Sequence, residues 1–152
     1  MIDVVEIDDR IAKCEKILET NPQSQIFAAL ADAYRKKGNL AKAQEICIEG
    51  LKQHPDYASA HVVLAKIHLA KGSYDSASDE LERAIGVGGR TRAIETIEAE
   101  ILIRRGQKAE ALLLLQSLES TDPDDENIKN LKLLMDEKPH PGQLEPFRSK
   151  GG

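Results

Sequence analysis

The feature that most constrains the fold of this chain is an internal repeat with a period of 34 residues. Glycine recurs at this interval as Gly38, Gly72 and Gly106. A period of this length indicates one supersecondary unit in three copies, and each copy must stack on its neighbours to bury its apolar face. Further positions that recur at the same step are Ala31, Ala65 and Ala99; Ala43, Ala77 and Ala111; Cys47, Leu81 and Leu115; and Tyr34, His68 and Leu102.

Each repeat is predicted to fold as two antiparallel helices joined by a short turn. Leu30 and Tyr34 lie four positions apart and so share one helix face. Gly38 and Gly72 suit the left-handed conformation in which many helices end, and Pro55 stops the second helix of the first repeat. Aromatic residues make up only 3% of the chain and Trp is absent, so the core must be mainly aliphatic.

The period and the pattern resemble the tetratricopeptide repeat, a helix–turn–helix unit whose signature begins W-x2-L-G-x2-Y. The resemblance covers about residues 24–125 and implies an all-α superhelix, an α-solenoid of about eight antiparallel helices. The matching residues are Phe27, Leu30, Ala31, Tyr34, Gly38, Ala43, Cys47, Gly50 and Pro55 in the first repeat; His61, Leu64, Ala65, His68, Gly72, Ala77, Leu81 and Ala84 in the second; and Glu95, Glu98, Ala99, Leu102, Gly106, Ala111, Leu115, Leu118 and Pro123 in the third.

The two ends of the chain are predicted to flank the repeats with single helices. Apolar residues in 7–20 match the second helix of a repeat, and Lys132 replaces the small alanine of the signature, as expected of a terminal cap. The predicted segments are an N-terminal half-repeat helix (1–23), three repeats (24–57, 58–91 and 92–125), a C-terminal capping helix (126–137) and a disordered tail or linker (138–152) rich in proline.

Three local irregularities interrupt the pattern. Gly86–Gly89 replaces the proline turn after the second repeat and indicates either a looser turn or a hinge. In the third repeat Glu98 stands where leucine is expected, so the first helix is predicted to be rotated or shifted by one residue. Asp122 before Pro123 is predicted to cap the N-terminus of the last helix.

No motif in the sequence points to catalysis, to a cofactor or to a metal. His61 and His68 share a helix face, but seven residues of helix place them about 10.5 Å apart, too far for one ion. Cys14 and Cys47 lie at apolar helix positions, which favours buried thiols over a metal site. The sequence therefore predicts a non-catalytic protein without cofactor or metal.

Charge and hydropathy exclude further classes. A net charge of −5, without a large basic cluster, disfavours nucleic-acid binding. No stretch approaches the roughly 20 apolar residues of a membrane span, and residues 1–10 lack the apolar run of a secretory signal. A cytoplasmic protein is the expectation.

The family resemblance implies that the first helices of the repeats line a concave groove for a partner peptide or helix. It also implies that the groove lacks a chaperone-tail clamp, because Ala28, Asp32, Val63, Ala93 and Ile97 occupy the clamp positions. The groove residues predicted by position are Gln25, Ala28, Asp32, Arg35 and Lys36 in the first repeat; Ser59, Val62, Lys66, Leu69 and Ala70 in the second; and Thr96, Glu100, Ile103 and Arg104 in the third.

Two functional hypotheses follow. The first is an adaptor or scaffold that binds another protein or peptide, with an amphipathic or partly apolar segment as ligand. The second is a self-assembling structural protein, a homo-oligomer formed by repeat stacking or by entry of the tail residue Phe147 into a neighbour's groove. A packing role for the apolar groove residues beneath the terminal helices is the alternative to both.

Overall fold

The computed structural model describes residues 4–137, and within this range the chain forms eight α-helices and no strand. The predicted all-α architecture of about eight helices is confirmed. The predicted tail, 138–152, lies outside the described residues. The helices are α1 (Val4–Thr20), α2 (Phe27–Lys37), α3 (Leu40–Gln53), α4 (Ala58–Ala70), α5 (Tyr74–Gly88), α6 (Arg92–Arg104), α7 (Lys108–Thr121) and α8 (Glu126–Asp136).

The glycines of the 34-residue repeat form the turns within each helix pair, as predicted. Gly38, Gly72 and Gly106 have φ values of 94°, 79° and 79°, in the left-handed region that side chains with a Cβ rarely adopt. The N–H of Gly38 donates to the carbonyl of Arg35, which satisfies one of the free carbonyls at the end of α2.

Two predicted boundaries differ in the structure. The N-cap of α8 is Asp125, whose side chain accepts from the N–H of Asn127 at 2.9 Å, and Asp122 instead ends α7. The prediction of Asp122 as the cap was wrong because a further turn, in which Asp122 accepts from Asp124, separates it from the helix. At the glycine-rich junction α5 continues to Gly88, and Gly89 has the left-handed φ of 80°.

The chain divides into two compact units, Met1–Thr91 and Arg92–Gly152. In the first, each helix from α1 to α5 packs on the next, and α2 also contacts α4. One cluster between α1 and α2 includes Ile7, Cys14 and Leu30. A second cluster fills α2–α4 and contains Phe27, Ala28, Ala31, Ala43, Cys47, Ala60, Val63, Leu64 and Ile67.

In the second unit, α6 contacts both α7 and α8. Its helix α6 buries Ile94 and Ile97 instead of Glu95 and Glu98, while Ala99 stays fully buried. The apolar face is therefore shifted toward the preceding residue in the first turns of α6, because the isoleucines rather than the glutamates enter the core. One core cluster of this unit contains Ala99, Leu115, Leu118, Ile128 and Leu131.

No helix between residues 4 and 137 is both long and apolar enough to cross a bilayer.

Candidate partner-binding surface

The groove residues predicted in the first two repeats belong to two helices that contact each other, α2 and α4. We call them the α2/α4 surface. Gln25 and Ser59, at or just before the starts of these helices, are exposed, whereas Ala28 is only 5% exposed and belongs to the core. The small side chain of Ala28 therefore serves close packing and offers little area to a ligand. The members of the surface are Gln25, Ala28, Asp32, Arg35, Lys36, Ser59, Val62, Lys66 and Leu69.

An ionic cluster occupies the α2 side of this surface. Asp32 accepts from Arg35 Nε at 2.8 Å and pairs with Lys36 Nζ at 3.4 Å, one turn further along the helix. Burial tends to raise the pKa of Asp32. The hydrogen bond from Arg35 and the charge of Lys66 outweigh that effect, so the pKa is lowered and Asp32 is ionised at neutral pH.

Lys66 brings a further positive charge from α4 toward this cluster. Its side chain is half-buried. Burial lowers the pKa of Lys66, Asp32 opposes this shift, and the like charges of Arg35 and Lys36 add to it. Three cations thus surround one carboxylate in a chain whose net charge is −5, which makes this surface locally positive.

The α4 side of the surface is apolar. Val62 and Leu69 are half-buried, and the spacing of 62, 66 and 69 places them on the same helix face as Lys66. An apolar stripe beside a charged cluster is the composition typical of an interaction surface. Sequence reasoning identified this stripe because α4 follows the repeat pattern closely.

The predicted residues of the third repeat lie on α6 in the second unit. Thr96 is half-buried and its hydroxyl donates to the carbonyl of Arg92, and Arg104 pairs with Glu100 at 3.4 Å. Ile103 is half-buried and packs against the cluster formed with α7 and α8. Part of the apolar surface of Ile103 is therefore used in packing. This agrees with the alternative that apolar groove residues pack beneath a terminal helix.

His61 is buried and has a hydrogen-bond partner at each ring nitrogen. Nε2 donates to the carbonyl of Pro55 at 2.7 Å, and Nδ1 lies 2.7 Å from a carboxylate oxygen of Glu80. Arg83 donates to the other oxygen of Glu80. These contacts hold His61 within the core. Between residues 4 and 137 no group of three or more His, Cys, Asp or Glu residues is placed to hold a metal.

The structure also contains a pocket that sequence reasoning missed. It has a volume of about 500 Å³ and is bounded by α1, the start of α2 and α3. Its floor includes Phe27 and Leu30, and Leu30 lies about 200° around α2 from Ala28, so the pocket is on the far side of α2 from the α2/α4 surface. The glycine at position 50 did not signal it, because the space beside Gly50 is filled by the Phe27 ring.

Comparison with known proteins places this geometry in a family. The family model described as "Tetratricopeptide repeat" matches residues 28–93 and, in a second overlapping match, residues 62–126. Among curated proteins, none matches the chain significantly.

Solved structures with similar folds are also repeat proteins of this type. The YrrB protein, described as a TPR protein with an unusual peptide-binding site, shares 20% identity and a TM-score of 0.65, over 78% of this chain and 61% of its own. TTC0263 from Thermus thermophilus shares 20% identity and a TM-score of 0.69, over 85% and 73%. The second TPR domain of human RPAP3, solved with an HSP70 peptide, shares 16% identity and a TM-score of 0.61, over 76% and 97%.

These likenesses concern the fold, and the chain spans 61% of YrrB, the first of the three. Proteins of this kind are generally interaction modules rather than enzymes. Three observations support the same assignment: the glycines of the repeat, the eight helices of the described chain, and a family model that covers most of the repeat region. The chain belongs to the tetratricopeptide repeat family.

Proposed function

We propose that this protein is a non-catalytic adaptor or scaffold that binds a segment of another protein on its α2/α4 surface. The observation that carries this proposal is the half-buried stripe of Val62 and Leu69 beside Lys66 and the Asp32 cluster. Peptide binding by YrrB and by the RPAP3 domain supports a protein or peptide as the class of partner.

The chemistry of the surface favours an amphipathic ligand. Apolar side chains of the ligand would cover Val62 and Leu69, which removes apolar area from water. A polar or acidic group beside them would meet Lys66, which has no carboxylate within ion-pair distance in the described part of the chain, whereas Arg35 and Lys36 share Asp32. The residues of α6, namely Thr96, Glu100, Ile103 and Arg104, remain a prediction from the repeat as a continuation of this site.

The test is capture of partners from the native cell with the wild type and with Val62→Glu/Leu69→Glu, followed by mass spectrometry. The variant places two carboxylates in the stripe, so a partner that binds there should be retained by the wild type and lost by the variant. Leu113→Glu/Leu133→Glu is the matched control, because these leucines are 69% and 66% exposed and lie on α7 and α8.

Circular dichroism and thermal unfolding establish first that all three proteins are folded. Equal capture by the wild type and by Val62→Glu/Leu69→Glu would contradict the proposed site. Micromolar binding of an acidic chaperone tail would contradict the amphipathic ligand. A cytoplasmic location is part of the proposal, and Cys14 and Cys47, both buried free thiols, are compatible with a reducing compartment.

A further inference from the structure

The cations of the α2/α4 surface outnumber its single carboxylate, and this imbalance specifies the chemistry of the ligand. We propose that the surface binds a phosphorylated segment of the partner protein, in which a phosphoserine or phosphothreonine meets the cations of α2 and α4 while neighbouring apolar residues cover Val62 and Leu69. This inference rests on the proposed adaptor function and adds to it the charge of the ligand.

The ionic cluster of this surface carries an excess of positive charge. Asp32 Oδ1 accepts from Arg35 Nε at 2.8 Å, and Oδ2 lies 3.4 Å from Lys36 Nζ, so both oxygens of the carboxylate are already paired. Lys66 adds a third cation, close enough to act on Asp32 and on both cations of α2. Three positive charges against one negative charge leave a net charge of +2 on the cluster.

Two of these cations retain donors that no protein group uses. Arg35 bonds to Asp32 through Nε, and between residues 4 and 137 no group accepts from its two Nη atoms. Lys66 Nζ has neither a hydrogen bond nor an ion pair within the same range. Lys66 is half-buried and burial lowers its pKa, so an anion beside it would offset the cost of burying its charge.

Neither the repeat pattern nor the helix dipole requires this arrangement of cations. One period after Arg35 and Lys36 stand Leu69 and Ala70, so the repeat fold accommodates neutral residues at both positions. Cations in the last turn of α2 are favoured by the helix dipole, but Lys66 lies before the last turn of α4, where that effect is weak. A ligand explains the concentration of charge better than either.

The size of the excess distinguishes a phosphate monoester from other anions. At pH 7 a phosphorylated side chain carries a charge of about −1.5 to −2 and three strong acceptor oxygens. A carboxylate or a phosphodiester of a nucleic acid carries only a single negative charge. The Nη donors of Arg35 form a planar fork suited to two phosphate oxygens, and Lys66 supplies a point charge for the third. A phosphate monoester therefore matches both the charge and the donors of the cluster.

The apolar stripe favours a phosphate that is attached to a polypeptide. Lys66 lies between Val62 and Leu69 on one face of α4, so a ligand that brings its phosphate to Lys66 also brings its neighbouring groups onto the apolar side chains. In an extended segment, side chains two residues apart lie on the same face. The expected ligand therefore has apolar residues two positions before and two positions after the phosphorylated residue.

The first experiment titrates the isotope-labelled full chain with the peptide acetyl-Leu-Ala-phosphoSer-Ala-Leu-amide and follows the backbone amides of α2 and α4 by NMR. The phosphopeptide should bind saturably, at least about tenfold more tightly than the same peptide with serine and at least about threefold more tightly than the peptide with glutamate. Inorganic phosphate should bind at least about tenfold more weakly, because it lacks the leucines. Absence of saturable binding, or equal affinity for the phosphopeptide and any of these three comparison ligands, would overturn the proposal.

Neutral substitutions locate the phosphate. Lys66→Met removes the charge but keeps an unbranched stem, and it should weaken binding of the phosphopeptide about tenfold, whereas Lys66→Arg should stay within about threefold of the wild type. Lys52→Met is the matched control, because it makes the same charge change at a 67% exposed side chain of α3, and it should leave binding within about twofold. Equal weakening by Lys66→Met and Lys52→Met would show a non-specific attraction and would overturn the proposed site.

Phosphatase treatment separates this inference from the adaptor function on which it rests. A partner captured by the wild type and lost by Val62→Glu/Leu69→Glu should also be lost when the native lysate is first treated with a phosphatase. Capture that survives the phosphatase but fails with the variant would overturn the phosphorylated ligand and leave the adaptor function intact. Equal capture by the wild type and by the variant would contradict the adaptor surface itself.

Discussion

The first two repeats place different side chains at the same buried position in the first helix of each repeat, which we call the slot. In the first, Phe27 is 4% exposed, stacks on His54 with ring centroids 5.8 Å apart and meets Tyr57 edge-on at 5.9 Å. In the second, the residue one period later is His61, which is held by hydrogen bonds to Pro55 and Glu80. The slot is filled by aromatic contacts in the first repeat and by polar contacts in the second, although the backbone pattern is the same.

The residue across each slot explains the difference. A Cβ on Gly50 would lie 2.0 Å from the Phe27 ring, so the phenyl ring depends on a glycine there. The second repeat has Ala84 at that position, fully buried, and the smaller imidazole accompanies it. Phe27 with Gly50 and His61 with Ala84 are therefore two solutions to the same packing problem, and they are not freely interchangeable.

The largest expected effect comes from emptying the aromatic slot. Phe27→Ala removes a buried ring with its stacking partner and should lower the free energy of unfolding by about 3–5 kcal/mol. Urea unfolding followed by tyrosine fluorescence measures this, because all three tyrosines of the chain, Tyr34, Tyr57 and Tyr74, lie in the first unit. Leu113→Ala, at a 69% exposed position, is the control and should cost far less. A loss below about 1 kcal/mol would show that the ring does not hold the first repeat together.

Placing the phenylalanine of the first repeat in the slot of the second should have the next largest effect on stability. His61→Phe removes a partner of buried Glu80 and forces a ring against Ala84, and we expect a loss of about 3 kcal/mol. The triple variant His61→Phe/Glu80→Ile/Ala84→Gly reproduces the first-repeat residues and should recover most of that loss. The same urea titration compares the two variants with Glu80→Ile/Ala84→Gly.

Additive effects of the three substitutions on the free energy of unfolding would contradict this interpretation. Residues in one slot should be coupled, so the triple variant must be more stable than the single effects predict. A triple variant less stable than His61→Phe alone would mean that the surroundings of the slot, and not its own residues, choose between phenylalanine and histidine. The second repeat lacks the stacking pair of His54 and Tyr57, so full recovery is not expected.

Periodicity was sufficient to predict the fold. Glycines at one left-handed position and alanines at the close helix contacts are short-range requirements, so they recur in the sequence wherever the backbone recurs. The helices, the turns at Gly38 and Gly72 and the family followed from these residues. The N-cap at Asp125 was missed because the choice between neighbouring aspartates depends on where the helix axis begins, which the pattern does not encode.

The candidate site was less predictable than the fold. Its positions on α2 and α4 follow from the repeat, but the burial of Ala28 and the packing of Ile103 depend on neighbouring helices. The pocket is bounded by residues of α1, α2 and α3, among them Leu18, Leu30 and Ile46. A sequence records which side chains are present, whereas an empty volume is defined only when three helices have been placed.

The smallest expected effect concerns a second position at which the repeats differ. Tyr34 donates to Glu15 at 3.0 Å, and burial raises its pKa, whereas one period later burial lowers the pKa of His68. Because His68 binds a proton less readily in the folded than in the unfolded chain, its contribution to stability is complete above its unfolded pKa. That contribution is lost as the pH falls below the ordinary histidine pKa of 6.5 and through the lower pKa of the folded state.

His68→Leu introduces the residue found one period later, Leu102. It should flatten the pH dependence of the unfolding midpoint over the range in which His68 titrates. Tyr34→Phe is the matched control from the first repeat, and it should preserve the slope, because the tyrosine stays protonated throughout. Thermal unfolding followed by circular dichroism at several pH values measures both. An unchanged slope in His68→Leu would assign the pH response to another group and would remove this difference between the repeats, while leaving the contrast between Phe27 and His61 intact.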